Sequence, residues 1–199
     1  MAYRMAVNTQ WGELLVGAYH QRVTGSEVVS YNNRSDEQGD QMEADVIAVN
    51  TDHDSGTQTV YVCEVVTHLD GGLYSGTPDG DDWAEYADND PYQASLETLW
   101  RKFTDDHRYA TGTFPNADEY AFEFWAPVVT GWENGGDLID GLHALSNRFE
   151  SENDEPHEII INQDYTARID KLRNEAEGDT SDYGAPAFRF LQILQNLKE

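Results

Sequence analysis

Two runs decide the fold: Met42-Glu43-Ala44-Asp45-Val46-Ile47-Ala48-Val49 and Thr59-Val60-Tyr61-Val62-Cys63-Glu64-Val65-Val66-Thr67. Both are rich in β-branched and aromatic residues, the composition of strands. The polar link at 50–58, with Asp52-His53-Asp54-Ser55-Gly56, reads as a hairpin connection, so the two runs pair antiparallel. Side chains alternate across a strand, so Asp45 shares a face with Glu43, Ile47 and Val49. By the same rule Glu64 shares a face with Val60, Val62 and Val66. A carboxylate in the middle of Val-Tyr-Val-Cys-Glu-Val-Val needs a partner, because ionised carboxylates are rarely buried alone. A divalent cation is one such partner, since Mg²⁺ favours one or two carboxylates plus water. An arginine or bulk water at the strand end is the other.

Outward from these strands the periodicity changes. Residues 8–24 read as a helix capped by Asn8 or Thr9 and ended by Gly25, with Trp11, Leu14, Leu15, Ala18 and Tyr19 forming its apolar stripe. Residues 27–31 are a short strand and 32–41 a loop. Residues 70–90 are acidic and glycine-rich and read as a long loop, a length that often accompanies function or mobility. Helices follow at 91–109 and 136–149, strands at 119–130 and 157–161, and helices at 164–176 and 184–198. The order is α-β-β-β-α-β, then α-β-α-α. That predicts an α/β (α+β) fold with a mixed sheet flanked by helices. At 199 residues the chain suits a single domain, 1–199.

The charge balance is extreme: 38 acidic residues against 12 basic ones, formally −26. Only Lys102, Lys171 and Lys198 are lysines, and the acids are dispersed along the chain. Such a surface self-repels in dilute buffer and is relieved at about 1 M salt, where the Debye length is roughly 3 Å. The expectation is a halophilic protein. The basic footprint that usually marks a nucleic-acid binder is missing, and in molar salt the counterion-release advantage of basic side chains is mostly gone. Cys63 is alone, which leaves no intramolecular disulfide and no cysteine cluster for zinc. The opening Met1–Asn8 carries no apolar signal-like region and no stretch approaches the ~20 apolar residues of a membrane span. A cytoplasmic protein with no membrane partner is expected. Gly71-Gly72 and Gly135-Gly136 do not fit a phosphate loop, and no serine has a nucleophile-elbow context.

Glu43-Ala44-Asp45 on one strand, followed by Glu64 on the next, resembles the motif pair of PD-(D/E)XK nucleases, the restriction endonuclease-like superfamily. The helix from Gly12-Glu13-Leu14-Leu15 onward is similar to that family's first helix. The resemblance covers about residues 8–110. It implies an αβββαβ nuclease-like core at about 8–130, with residues 131–199 as a C-terminal elaboration. It further implies a metal-dependent nuclease hydrolysing DNA phosphodiester bonds, with Mg²⁺ or Mn²⁺ held by Asp45, Glu64 and the backbone carbonyl of Val65. DNA is expected before RNA, and a homodimer is left open. The family's motif lysine falls at position 66, where this chain has Val66. Lys102, on the helix after the core strands, is the candidate replacement, with Arg101 and Arg108 as lesser ones. The alternative for Lys102 and Arg101 is a solvated pair answering Asp105 and Asp106. Glu13 joins the expected catalytic set by resemblance, although a helical wheel sets it away from the Trp11-Leu15-Ala18 stripe. His68 follows the second strand and is a further candidate contact. Two other readings stand beside the nuclease. One is a catalytically inactive nuclease-fold protein serving as a nucleic-acid-binding or protein-interaction subunit. The other is an unrelated α+β domain with a salt-adapted surface.

Overall fold

The computed structural model describes residues 10–35, 42–130 and 137–197. The residues Asn8, Thr9, Gly135, Gly136 and Lys198, and residues 36–41 of the expected loop, lie outside them. Helix α1 (Trp11–Tyr19) passes into a π-helical turn, His20–Thr24, which ends at Gly25 in the left-handed region. Strands β1 (Val28–Ser35), β2 (Met42–Thr51) and β3 (Gln58–Val65) follow. A 3-10 turn (Asp81–Glu85) precedes helix α2 (Asp90–Thr113). Then come β4 (Glu119–Ala126), α3 (Asp137–Asn153), β5 (His157–Ile161), α4 (Asn162–Ala176) and α5 (Pro186–Asn196). The fold is α/β, and its element order is the expected one.

The five strands form one mixed sheet in sequence order, β1-β2-β3-β4-β5. The first three are an antiparallel meander. Strand β4 runs parallel to β3, and β5 parallel to β4. A parallel neighbour needs a long crossover, which α2 and α3 supply. Both crossover helices lie on the face of Ile47, Val49, Val60, Val62, Phe122 and Phe124. Helices α1 and α4 cover the other face over Val46, Cys63, Trp125 and Ile160, and α5 packs against both of them. Because β5 pairs with β4, the C-terminal segment extends the same sheet and does not build a second one.

Three local expectations are corrected. Trp11 is not on the buried stripe of α1: it is 63% exposed and meets Phe190 of α5 at 6.0 Å. Ala18 and Tyr19 of the expected stripe are buried, but beside them the helix buries Gly12, Glu13, Val16 and Gly17 in place of Trp11, because the two glycines let it approach the sheet closely. A Cβ on Gly17 would collide with the Tyr31 hydroxyl. Strand β1 runs on through the residues expected to open a loop. The acidic 70–90 stretch is pinned, because Leu73, Trp83 and Ala87 are buried in the α2-side core. Ser95 of α2 also donates from Oγ to the Tyr74 carbonyl (2.7 Å) and accepts from the Tyr74 N–H (3.3 Å). Among the described residues no helix is long and apolar enough to cross a membrane.

The seat of α3 on α2 gives the first prediction. A Cβ on Gly141 would lie 2.6 Å from Leu96 Cδ1 and 2.8 Å from the Tyr86 carbonyl oxygen. Alanine is the better helix former by about 1 kcal/mol, yet overpacking against a backbone atom costs roughly 1–3 kcal/mol. Gly141→Ala is therefore expected to lower the urea midpoint of unfolding at unchanged slope. A raised midpoint would show that α3 rides clear of α2.

Candidate active site

The antiparallel ladder of β2 and β3 stops at Val46↔Cys63. One further step in that register would set Asp45 opposite Glu64, and cross-strand partners project to one face. There the backbones part, and Asp45 Oδ2 accepts from the Val65 N–H at 2.8 Å. Asp45 thus caps the freed end of β3. Val65 was expected to offer its backbone carbonyl as a third oxygen beside Asp45 and Glu64; its N–H, in addition, ties Asp45 to the end of β3. A strand residue's N–H and C=O point to the same side, so the carbonyl faces the same gap.

Glu64 is only 2% exposed. Its Oε1 accepts from the Tyr74 hydroxyl at 2.9 Å and lies 2.5 Å from Lys102 Nζ. Its Oε2 is buried and finds no hydrogen-bond partner among the described residues. Lys102 comes from α2, and its stem leads the ammonium to the strand end with the side chain 31% exposed. The solvated-pair alternative for Lys102 is therefore corrected: its partner is Glu64. Asp105 is engaged instead by Arg108, which removes that arginine from the site, and Arg101 is exposed. Asp106 stands one helical turn after Lys102 and is also buried, with Oδ1 unpartnered among the described residues.

These groups open on a cavity of about 210 Å³ whose lining includes Asp45, Glu64, Val66, His68, Tyr74 and Lys102. Two roomier clefts exist, of about 440 and 610 Å³. The first adjoins the site, taking Ser75 and Arg101, the chain neighbours of Tyr74 and Lys102, into its wall beside Trp83 and Trp100. The second lies at the opposite end of β3, around Thr59 and Glu119.

The electrostatics follow from two buried acids, Glu64 and Asp106, and a half-buried one, Asp45, around one ammonium. Burial, then the Glu64 charge, pushes Asp45 up to about 8, against the Val65 N–H and Lys102. Burial, then Glu64, holds Asp106 well above the usual carboxylate range. Burial opposes the charge on Lys102, but Glu64, Asp45 and Asp106 outweigh it and keep the ammonium protonated. Burial and Glu64 also raise the Tyr74 hydroxyl, which stays a donor. Raised to about 8, Asp45 holds a proton at neutral pH that a divalent cation would displace.

Of the residues expected from sequence, Asp45, Glu64, Val65, Lys102 and His68 come together here, with Val66 beside them. Glu13 is not on the surface as the helical wheel suggests; it is 3% exposed. It lies outside the cavity lining, and its Oε2 accepts from the Gln10 N–H (3.0 Å) and the Asn32 amide (2.8 Å). It reaches the site only as a minor charge raising Asp45. Tyr74 and Asp106 were not foreseen. The spacing of Asp106, four residues after Lys102 on one helix face, is the signal that could have found it. Against known proteins, the chain matches no family model, no curated protein and no solved structure.

Proposed function

We propose that this cavity is the catalytic centre of a metal-dependent nuclease that hydrolyses DNA phosphodiester bonds, of the PD-(D/E)XK kind. The observation that carries the reading is the Lys102 ammonium. It arrives from α2 at Glu64, in the cavity that Asp45 shares, while Val66 occupies the position where the family's lysine stands. The α-β-β-β-α-β order and the carboxylates at the parting of β2 and β3 agree with that family's arrangement.

The donor set fits a hard cation. Asp45 and Glu64 offer oxygens only, and Glu64 Oε2 is a buried acceptor with no partner among the described residues. These two would hold Mg²⁺ or Mn²⁺, with the Val65 carbonyl as a third oxygen. The ion supplies Lewis-acid polarisation of the phosphate and a more acidic water. The remaining work belongs to the chain. Tyr74 fixes the orientation of Glu64 through its hydroxyl. Lys102 keeps its proton and stands at the cavity mouth, where it can stabilise charge developing on phosphate oxygens.

Val66 favours a second reading, in which the fold binds nucleic acid or a protein partner without cleaving. One experiment separates the readings. Plasmid and linear DNA are incubated with the protein in about 1 M KCl, where the acidic surface is screened, with Mg²⁺ or Mn²⁺. Cleavage that is lost with chelator and in Glu64→Gln is expected. Mn²⁺ binding without cleavage supports the inactive alternative, and neither binding nor cleavage leaves only the salt-adapted surface. The same reading expects thermal stability to rise with KCl concentration.

A further inference from the structure

A second cluster sits on the opposite face of the sheet. His20 opens the π-helical turn after α1, while Cys63 and Glu123 are register partners on β3 and β4. All three are buried, at 0%, 0% and 5% exposure. His20 Nε2 lies 3.0 Å from Glu123 Oε2, and Cys63 Sγ lies 3.4 Å from His20 Nε2 and 3.6 Å from Glu123 Oε2. We propose that His20, Cys63 and Glu123 bind a Zn²⁺ ion within the α1-side core, at a site separate from the Asp45–Glu64 cavity.

The spacing is that of one face of a coordination tetrahedron. Zinc bonds of about 2.3 Å to sulfur and 2.0–2.2 Å to nitrogen and oxygen give donor–donor edges of roughly 3.3–3.6 Å. The two sulfur edges match. The nitrogen–oxygen edge is shorter, as expected when a hydrogen bond spans it. The donor chemistry also selects. A thiolate, an imidazole and a carboxylate suit a borderline-soft ion, whereas the oxygen-only cavity suits Mg²⁺. Thiolate and carboxylate together neutralise a dication, so the ion would not leave net charge in the core formed by Val46, Trp125, Ile160 and Leu172.

The surroundings orient the three groups as ligands are oriented. Trp125 Nε1 donates to Glu123 Oε2 at 2.7 Å. Thr24 Oγ1 is 3.4 Å from His20 Nδ1, the ring nitrogen facing away from the cluster, and is itself fixed to the His20 carbonyl at 2.7 Å. Such partners on the far nitrogen set the tautomer of metal-bound histidines. The Tyr61 ring packs 4.7 Å from His20 and Trp125 6.1 Å, which keeps the site dry. The π turn is a second, independent sign: π segments cost helix geometry and recur at functional sites. Here it brings His20 over the centre of the sheet. With all ligands buried, the ion would be taken up as the chain folds.

The test is X-ray absorption at the zinc edge on the full chain, folded with Zn²⁺ supplied and then stripped of loosely bound ions by gel filtration. Cys63 is the only cysteine, so its sulfur is a unique reporter. One zinc per chain with a single sulfur scatterer at about 2.3 Å is expected, and Asp45→Asn should leave both unchanged. Cys63→Ser should lose the sulfur signal and the bound zinc. Zinc held only by nitrogen and oxygen, or a natively folded chain with no zinc, would overturn the proposal in favour of a hydrogen-bonded triad. The wild-type spectrum decides even if Cys63→Ser does not fold.

Discussion

Lys102→Ala is expected to lower DNA cleavage by about 10²–10³-fold, the usual cost of removing one group that stabilises transition-state charge. The loss should persist at saturating Mg²⁺, because added ion would not restore a positive charge that the chain itself supplies. Folding should also suffer, because Glu64, 2% exposed, loses the cation 2.5 Å from its Oε1. Breaking a fully buried pair costs about 3–5 kcal/mol. With Lys102 31% exposed, solvent screening brings the expectation to roughly 1–3 kcal/mol. The two effects separate in a double-mutant cycle. Glu64→Gln with Lys102→Met carries neither charge, so it should recover much of the stability and none of the activity. Val66→Lys in the Lys102→Ala background puts an ammonium back on the Glu64 face from the strand itself, and should return part of the cleavage. Full activity in Lys102→Ala would remove the lysine from the mechanism.

The fold was legible because its elements are long and strongly patterned. The β-branched runs around Asp45 and Glu64 and the Leu96-Leu99-Phe103 stripe of α2 left little choice of period. Asp45 and Glu64 could be found because a carboxylate inside an apolar strand is costly. Lys102 could be found because the chain has so few lysines. Asp106 was hidden by the chain's own composition: next to Asp105, in a protein with 38 acids, an inward-turned aspartate resembles the solvated ones. Tyr74 was hidden because acidic, glycine-rich sequence reads as free loop. What holds that loop is burial of Leu73 and Trp83 against α2, a tertiary effect. Trp11 shows the reverse error. A large apolar residue was assigned to the core, but helix α1 turns its glycines there because they permit closer approach. Glu123, in Ala-Phe-Glu-Phe-Trp, carries the same strand-carboxylate signal as Glu64 and is similarly buried, although its aromatic neighbours make the strand read simply as core.

Asp45→Asn should act in opposite directions on function and stability. Cleavage and Mn²⁺ binding are expected to vanish, because an amide offers no charge to the ion. The chelator-treated Asp45→Asn variant should nevertheless be more stable than the parent in alkaline buffer. The sign follows from linkage. Asp45 loses its proton near 3.8 when unfolded and near 8 when folded. Between those values the native state holds a proton that the unfolded state has released. The free energy of unfolding therefore falls as pH rises across that window. Asparagine has no proton to lose, and its side-chain oxygen can still accept from the Val65 N–H. The variant's advantage should be absent below pH 4, grow towards pH 8 and level off beyond it. The same titration governs metal uptake: the cation must displace the proton, so Mn²⁺ affinity of the parent should climb with pH and flatten near pH 8. A parent and variant of equal stability at pH 8.5 would mean that Asp45 is ionised and solvated. It would then not share the buried field of Glu64, and the paired-carboxylate site would lose its basis.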